Sequence, residues 1–471
     1  MTRRELIAAA AKLGLATGLG YVPRSSLAQA AVAKDPRLIA RSVRPPDFET
    51  PVALLDSFLT PAQSFFVRSH MSVPQVDEAA WTLAIAGEIA TPSTISLAEL
   101  KRMPRANVTT TMECAGNGRA FFDPPVAGIQ WRTGAVGTAR WTGVRLVDLL
   151  KRAGVRDSAT HVWMSGADRP MGTQPAFVRQ LPIAKAMHPE TLVAYAMNDG
   201  AIPLLNGAPL RLIVPGWEGA YSLKWLNRLT IARDEHDGFW VANAYRYPQS
   251  PVTPGAVVSA REMAPLRGLV VKSLITRPLD AALVAPGKTM IAGYAWAGED
   301  RIARVEISID GGASWKAARL TGQPVDYAWR RFEYAADLVD GHTYTIRSRA
   351  TDARGNTQPL APGWNPSGYL WNAPDQIRVD VARTSSRGST RTAPPLAASH
   401  DPASPAGSDV GEAVYQSACR VCHGDDLVEQ QRLSEAGWSR TIDKMVQWGA
   451  RVESDRRASL LRYLASRFGQ P

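Results

Sequence analysis

The chain has 471 residues, 45% of them hydrophobic and 21% charged, and a formal net charge of +11. That length allows about two to four domains, and the composition excludes a collagen-like or coiled-coil chain. The positive balance suits an anionic substrate or cofactor, but no Lys/Arg block forms a nucleic-acid stripe, so no nucleic acid is expected as a partner.

Residues 1–30 have the parts of an export signal. Arg3-Arg4 precedes a weakly apolar run from Leu6 to Val22, and Ala28-Gln29-Ala30 makes a small-x-small cleavage site. The paired arginines resemble a twin-arginine signal, the route of proteins exported already folded around a cofactor, and point to the periplasm. Lys12, Gly14, Gly18 and Gly20 interrupt the run, so no stable membrane span is expected.

Residues 31–251 open with an Arg/Pro-rich arm to about residue 50. Short apolar strands such as Leu83–Ala86 and Leu210–Val214 then alternate with helical stretches such as Val144–Ala153, an α+β pattern. Within it lies Cys114, in T-T-M-E-C-A-G-N-G-R. Threonines favour a strand before it, and glycines a turn after it. A thiol exposed at such a turn with Arg119 close by is expected to have a lowered pKa. That suits either a nucleophile or a ligand for a soft metal. A cysteine protease would need a partnered histidine, and the local sequence supplies none.

From residue 252 to 383 strand follows strand. Arg304–Ile309 alternates with period two and breaks at Asp310-Gly311-Gly312, a hairpin signal. Thr343–Arg349 alternates again and stops at Asp352–Asn356. The pattern predicts an immunoglobulin-type β-sandwich. Residues 384–408 are rich in Ser, Thr, Ala and Pro and read as a flexible linker.

Residues 409–471 read as a small all-α unit, with helices over Val410–Ala418, Trp438–Trp448 and Ala458–Phe468. The first leads into Cys419-Arg420-Val421-Cys422-His423, the C-x-x-C-H word of covalent haem attachment. Cys419 and Cys422 would bond the haem c vinyl groups and His423 the iron. The other uses are a redox dithiol and half of a zinc site. Zinc would need a second ligand pair, and no Cys or His follows His423. Met445 is the only methionine after the motif. It is either the sixth iron ligand, raising the potential as an electron acceptor requires, or a core residue of its helix. His400, in the linker, is a distant alternative. An export signal and a c-type haem agree on compartment.

The words around Cys114, together with Trp131–Leu150, resemble the molybdenum-cofactor core of the sulfite oxidase family, and the resemblance covers most of residues 50–380. It implies molybdenum-molybdopterin as cofactor, with Cys114 on the metal. Phe65–His70 resembles the family's F-x-R-x-H segment, placing Arg68 at the active site and Phe65 and His70 by the pterin. Asn206, Arg211, Ser222 and Lys224 fall in stretches that resemble the grip on the pterin phosphate. Arg68, Arg119 and Trp131 match an oxyanion pocket, and Tyr245 the active-site tyrosine, with Tyr221 and Tyr247 as rivals. The second domain resembles the family's dimerisation domain and implies a homodimer. Vertebrate members carry a histidine where Asn206 stands and an arginine where Thr82 stands. His161, His188, His236 and His342 have no motif support and read as structural or surface residues.

The resemblance and the haem word together suggest a periplasmic sulfite dehydrogenase. Sulfite, a small oxyanion, would be oxidised at molybdenum, and electrons would leave through the haem to a soluble c-type cytochrome. The linker is expected to let the haem unit swing. One rival is a sulfane dehydrogenase acting on carrier-bound sulfur, which would need a wider pocket mouth. Others are a molybdenum reductase and a non-catalytic electron carrier.

Overall fold

The computed structural model describes residues 33–382 and 409–470. The export signal of residues 1–30 and the whole of the expected linker, 384–408, lie outside that range. The α+β region is built on two sheets. In one, the strands Ala106–Glu113, Val136–Arg145 and Leu192–Met197 run antiparallel in that order, with Gly200–Ala201 and Arg211–Ile213 also paired to the last. In the other, Ser93–Ser96, Thr82–Gly87, Leu226–Ala232, His161–Gly166 and Val178–Pro182 lie side by side, and only Thr82–Gly87 with Leu226–Ala232 is parallel. The helix expected over Val144–Ala153 begins later, at Leu146. Val144 and Arg145 finish the preceding strand instead, paired to Val193 and Leu192, because the ladder satisfies their backbone groups first. Gly154, in the left-handed region, closes the helix.

The β-rich region from Lys272 to Val381 is a two-sheet sandwich. Lys272–Arg277, Gly287–Trp296, Arg330–Leu338 and Arg319–Thr321 form one sheet. Ala282–Val284, Asp375–Val381, Thr343–Asp352, Ile302–Ser308 and Lys316–Ala317 form the other. Alternate residues of both, among them Ile275, Ile291, Phe332, Val305, Ile346 and Val379, meet in one core, as period-two patterning requires. The expected hairpin is present: Ile302–Ser308 turns back to Lys316–Ala317, with Gly311 and Gly312 both at positive φ.

The C-terminal unit is helical. Asp409–Val414 runs into a π-helical turn at Tyr415–Cys419, followed by helices Asp425–Glu429, Glu435–Gln447 and Arg457–Phe468. Ser434 caps the third, its hydroxyl accepting from the Gly437 N–H at 3.2 Å. Tyr415, Trp438, Ile442, Leu460, Leu464 and Phe468 make its core. The unit is seated on the α+β region. Gln430 Oε1 accepts from the Gln130 N–H and Gln431 Oε1 from the Gly128 N–H, both at 2.9 Å. Gln430 Nε2 also donates to the Arg41 carbonyl at 2.7 Å. Among the described residues no helix is long and apolar enough to cross a membrane.

One buried carboxylate joins the α+β region to the sandwich. Glu113, 2% exposed, accepts from Lys272 Nζ at 2.6 Å, from Trp296 Nε1 at 2.9 Å and from Asn117 Nδ2 at 2.9 Å. Removing one partner of such a pair strands the other's charge in the core. Glu113→Ala should therefore lower stability by about 3–5 kcal/mol in denaturant unfolding, while Lys101→Ala, on an exposed helix end, should leave it within about 0.5 kcal/mol.

Candidate active site

Cys114 follows directly on the strand Ala106–Glu113. Its N–H donates to the Ala135 carbonyl at 2.9 Å, and its own carbonyl accepts from the Asn117 N–H at 2.8 Å, closing the turn. The thiol lies in a cleft of about 630 Å³. Arg68, His70, Asn206, Arg211, Ser222, Lys224 and Tyr245 line the same cleft, so most of the residues singled out by sequence converge. Phe65, Arg119 and Trp131 do not reach its wall. Phe65 and Trp131 are wholly enclosed in the neighbouring core, and Phe66 takes the wall position. The expected lowering of the Cys114 pKa is reversed. Burial pushes the thiol up, outweighing Arg68, the Gly116 N–H and Arg119. Arg119 lies behind the turn, donating to the carbonyls of Ile129 and Ser367. Gly116 makes room for it: a Cβ there would come within 2.6 Å of the guanidinium.

One end of the cleft is strongly cationic. Arg211 is buried and donates to the carbonyls of Ser222 at 3.0 Å and Asn206 at 2.8 Å, with no carboxylate partner among the described residues. Burial alone pulls it down to about 9. Lys224 donates to Ser69 Oγ at 2.8 Å and the Leu205 carbonyl at 3.0 Å, and burial with Arg211 holds it well below its ordinary value. Lys34, which sequence reasoning missed, reaches in from the N-terminal arm. Its ammonium donates to Asn206 Oδ1 at 2.9 Å and to the carbonyls of Ala62 and Phe65. A cation thus abuts the position where vertebrate relatives were expected to carry histidine.

The other end holds the groups suited to proton handling. Arg68 pairs with buried Asp47 at 3.0 Å. His70 Nε2 is hydrogen-bonded to the Tyr245 hydroxyl. Burial, then Arg68, Lys224 and Arg179, keep His70 neutral by lowering its pKa well below the ordinary value. Tyr245 sits at φ 55°, an unusual conformation for a bulky residue. Of the three tyrosines considered, it alone lines the cleft: Tyr221 is tied to the Leu266 carbonyl at 2.7 Å, and Tyr247 lies outside. Arg179, also missed, lies over both the Tyr245 ring at 4.6 Å and the Tyr221 ring at 4.5 Å, and pairs with buried Glu218 at 3.5 Å.

The sequence profile of the oxidoreductase molybdopterin binding domain matches residues 70–240, and that of the Mo-co oxidoreductase dimerisation domain matches residues 264–382. Mitochondrial sulfite oxidase of Mus musculus is 38% identical over 365 residues, which cover 74% of this chain and 66% of that protein. The chain therefore matches just under two thirds of that relative's length. Sulfite oxidase of Arabidopsis thaliana is 32% identical over 366 residues, covering 72% of this chain and 92% of that one. The chain belongs to the sulfite oxidase family.

A crystal structure of the sulfane dehydrogenase SoxCD from Paracoccus pantotrophus superposes with a TM-score of 0.63 at 28% identity, covering 78% of this chain and 92% of that one. Family membership implies molybdenum-molybdopterin, and the cleft fits it. Buried Arg211 and half-buried Lys224, without ion-pair partners among the described residues, suit a phosphate, and the thiol of Cys114 suits the metal. Thr82, where vertebrate relatives were expected to carry arginine, is exposed on its strand and lines no cavity.

A second, largely apolar cavity of about 1210 Å³ adjoins the first, and Arg68 and His70 line both. Cys419, Cys422, His423 and Met445 all face it, with Val428, Ile442, Leu460 and Leu464. Burial pushes the Cys419 thiol up to about 12. His423 Nδ1 donates to the Gly424 carbonyl at 3.3 Å, which leaves Nε2 as the free nitrogen. Lys444 lines this cavity beside Arg68; burial, Arg119 and Arg68 pull it down to about 8. His161, His188, His236 and His342 line neither cavity.

Two outcomes follow. Lys34→Met should lower molybdenum and pterin per chain, measured by elemental analysis and pterin fluorescence, by about tenfold at limiting cofactor, with the far-UV spectrum unchanged. Glu218 is raised to about 7 by burial, so its contribution to stability is present below about pH 4.5 and is lost as pH rises through about 7. The stability of the wild type relative to Glu218→Gln should fall across that window by about 3 kcal/mol and stay flat above it. A difference that does not change with pH would contradict this.

Proposed function

We propose that the protein is a periplasmic sulfite dehydrogenase. It would oxidise sulfite to sulfate at molybdenum-molybdopterin and pass electrons through haem c, held by Cys419, Cys422 and His423, to a soluble c-type cytochrome. The observation that carries this reading is the shared wall. Arg68 and His70 line both the cleft of Cys114 and the cavity of the C-x-x-C-H word, so a molybdenum electron source and a haem outlet would lie side by side. The haem cavity fits its proposed occupant. It is apolar, Cys419, Cys422 and His423 line it, and among the described residues the buried indole N–H of Trp438 on its wall has no protein partner. Met445 on the same wall would be the sixth iron ligand.

The bound molybdenum group would supply oxygen-atom transfer and two-electron redox chemistry. The chain's own residues do the rest. Arg68, held by Asp47, presents its guanidinium to an oxyanion and stabilises charge on its oxygens. The Tyr245 hydroxyl, bonded to His70, offers a hydrogen bond and a proton at its oxygen. Arg211, Lys224, Asn206 and Ser222 would anchor the pterin phosphate and so fix the metal's place. Arg119 and Trp131 act from behind the wall, shaping the turn and the core that support Cys114.

The sandwich, in the region matched by the dimerisation profile, would pair two copies of the chain. The chain would then divide into a twin-arginine signal at 1–30, a catalytic domain at 31–251, a dimerisation domain at 252–383, a linker at 384–408 and a cytochrome c domain at 409–471. A sulfane dehydrogenase acting on carrier-bound sulfur is the second reading, favoured by the likeness to SoxCD.

Purified holoenzyme with sulfite should reduce oxidised cytochrome c. Cys114→Ser should lower that rate by at least about 100-fold, because the metal loses its protein ligand. Reduction by a sulfane-sulfur carrier and not by sulfite would favour the second reading. Molybdenum-loaded protein inert to both would leave a molybdenum reductase or a non-catalytic electron carrier.

A further inference from the structure

We infer that Lys444, contributed by the C-terminal helical unit, is a substrate-binding residue: it joins Arg68 in an anion pocket that is complete only when that unit is seated. The inference rests on the reading that the cleft handles a sulfur oxyanion, and it names the group that would set affinity for the doubly charged form.

Lys444 lies near the end of the helix Glu435–Gln447, where a lysine ordinarily points to water and complements the helix dipole. Here it is turned inward and lines the cavity wall with Arg68 and His70. Among the described residues its ammonium has no hydrogen-bond or carboxylate partner; its contact is the face of Trp448, at 5.1 Å. Arg68 is paired with Asp47 and Arg179 with Glu218, while Arg119 donates only to the carbonyls of Ile129 and Ser367. Lys444 brings a positive charge to the wall that Arg68 lines, with no carboxylate to balance it among the described residues. Such a charge is costly unless an anion joins it.

Its position is held firmly. Trp448 packs on Phe239 at 5.3 Å and on Trp240 at 5.0 Å, and Trp240 in turn meets the His70 ring at 5.0 Å. The Thr173 hydroxyl donates to the Gly449 carbonyl. Gly449 has φ +96°, and a Cβ there would come within 2.3 Å of the Thr173 carbonyl oxygen, so only glycine permits this approach. The helix end is thus pinned to the α+β region one turn from Lys444. A dianion bound between Arg68 and Lys444 would be gripped by both units at once.

The test uses the full-length protein loaded with molybdenum and haem, with cofactor content measured for every variant. Sodium sulfate is the probe, titrated by calorimetry at constant ionic strength, alongside steady-state kinetics with sulfite. Lys444→Gln should weaken sulfate binding and raise the KM for sulfite roughly tenfold, with kcat changed less than about twofold. Lys444→Arg, which keeps the charge, should hold sulfate affinity within about threefold of wild type. Sulfate affinity unchanged in Lys444→Gln would overturn the inference, whether or not the haem potential moves; a moved potential would assign the ammonium to a haem propionate. Equal loss in Lys444→Arg and Lys444→Gln would also overturn it, since charge is the claim. Sulfate binding that depends on Lys444 in a protein unable to oxidise sulfite would support the inference while refuting the proposed substrate.

Discussion

The architecture depends on one buried carboxylate. Glu113 is the last residue of its strand and the neighbour of Cys114, and it receives hydrogen bonds from an ammonium, an indole and an amide. Lys272 and Trp296 come from the sandwich, Asn117 from the turn after Cys114. A single side chain therefore ties three things together: the end of the catalytic strand, the turn that presents the thiol, and the second domain. Buried ion pairs contribute little net stability against an apolar replacement, but they make a mismatched arrangement expensive. In this fold that property fixes the register of Cys114 against everything that surrounds it.

Around that fixed point, charge is distributed unevenly. The end of the cleft holding Arg211, Lys224 and Lys34 has more cations than carboxylates, and burial lowers the pKa of all three. A cleft end built this way suits a strongly anionic group, which is what a pterin phosphate would supply. The opposite end is balanced: Arg68 has Asp47, and Arg179 has Glu218. There a neutral His70 and a strained Tyr245 line the cleft beside Cys114. On the proposed reading, cofactor binding and substrate handling would be separated within one cleft by whether the protein has already neutralised its own cations.

How much of this was legible in the sequence follows from how local each signal is. The word around Cys114, the C-x-x-C-H word and the Asp310-Gly311-Gly312 hairpin are contiguous; the hairpin forms where it was expected, and the turn after Cys114 closes through the Asn117 N–H. Arg68, Asn206, Arg211 and Tyr245 were reachable because their flanking words resemble a family. Lys34, Arg179, Glu218 and Lys444 were not. Each stands in an unremarkable stretch and becomes significant only when the chain folds it against Asn206, Tyr245, Arg179 or Arg68. The charge state of Cys114 was misread for the same reason. Arg119 is visible five residues away, but the burial that outweighs it is not. Phe65 and Trp131 were placed one layer too close to the chemistry, since a motif marks a neighbourhood and packing decides which aromatic ring, here Phe66, reaches the wall.

The central claim is that oxidation at the Cys114 cleft feeds the haem of the same chain. Rapid mixing of fully loaded protein with sulfite, with no external acceptor and no oxygen, tests it most directly by following the haem absorption bands. The account predicts reduction of one haem per chain at a rate independent of protein concentration, and no such phase in Cys114→Ser. Absence of haem reduction in the molybdenum-loaded wild type, or a rate that rises in proportion to protein concentration, would contradict it.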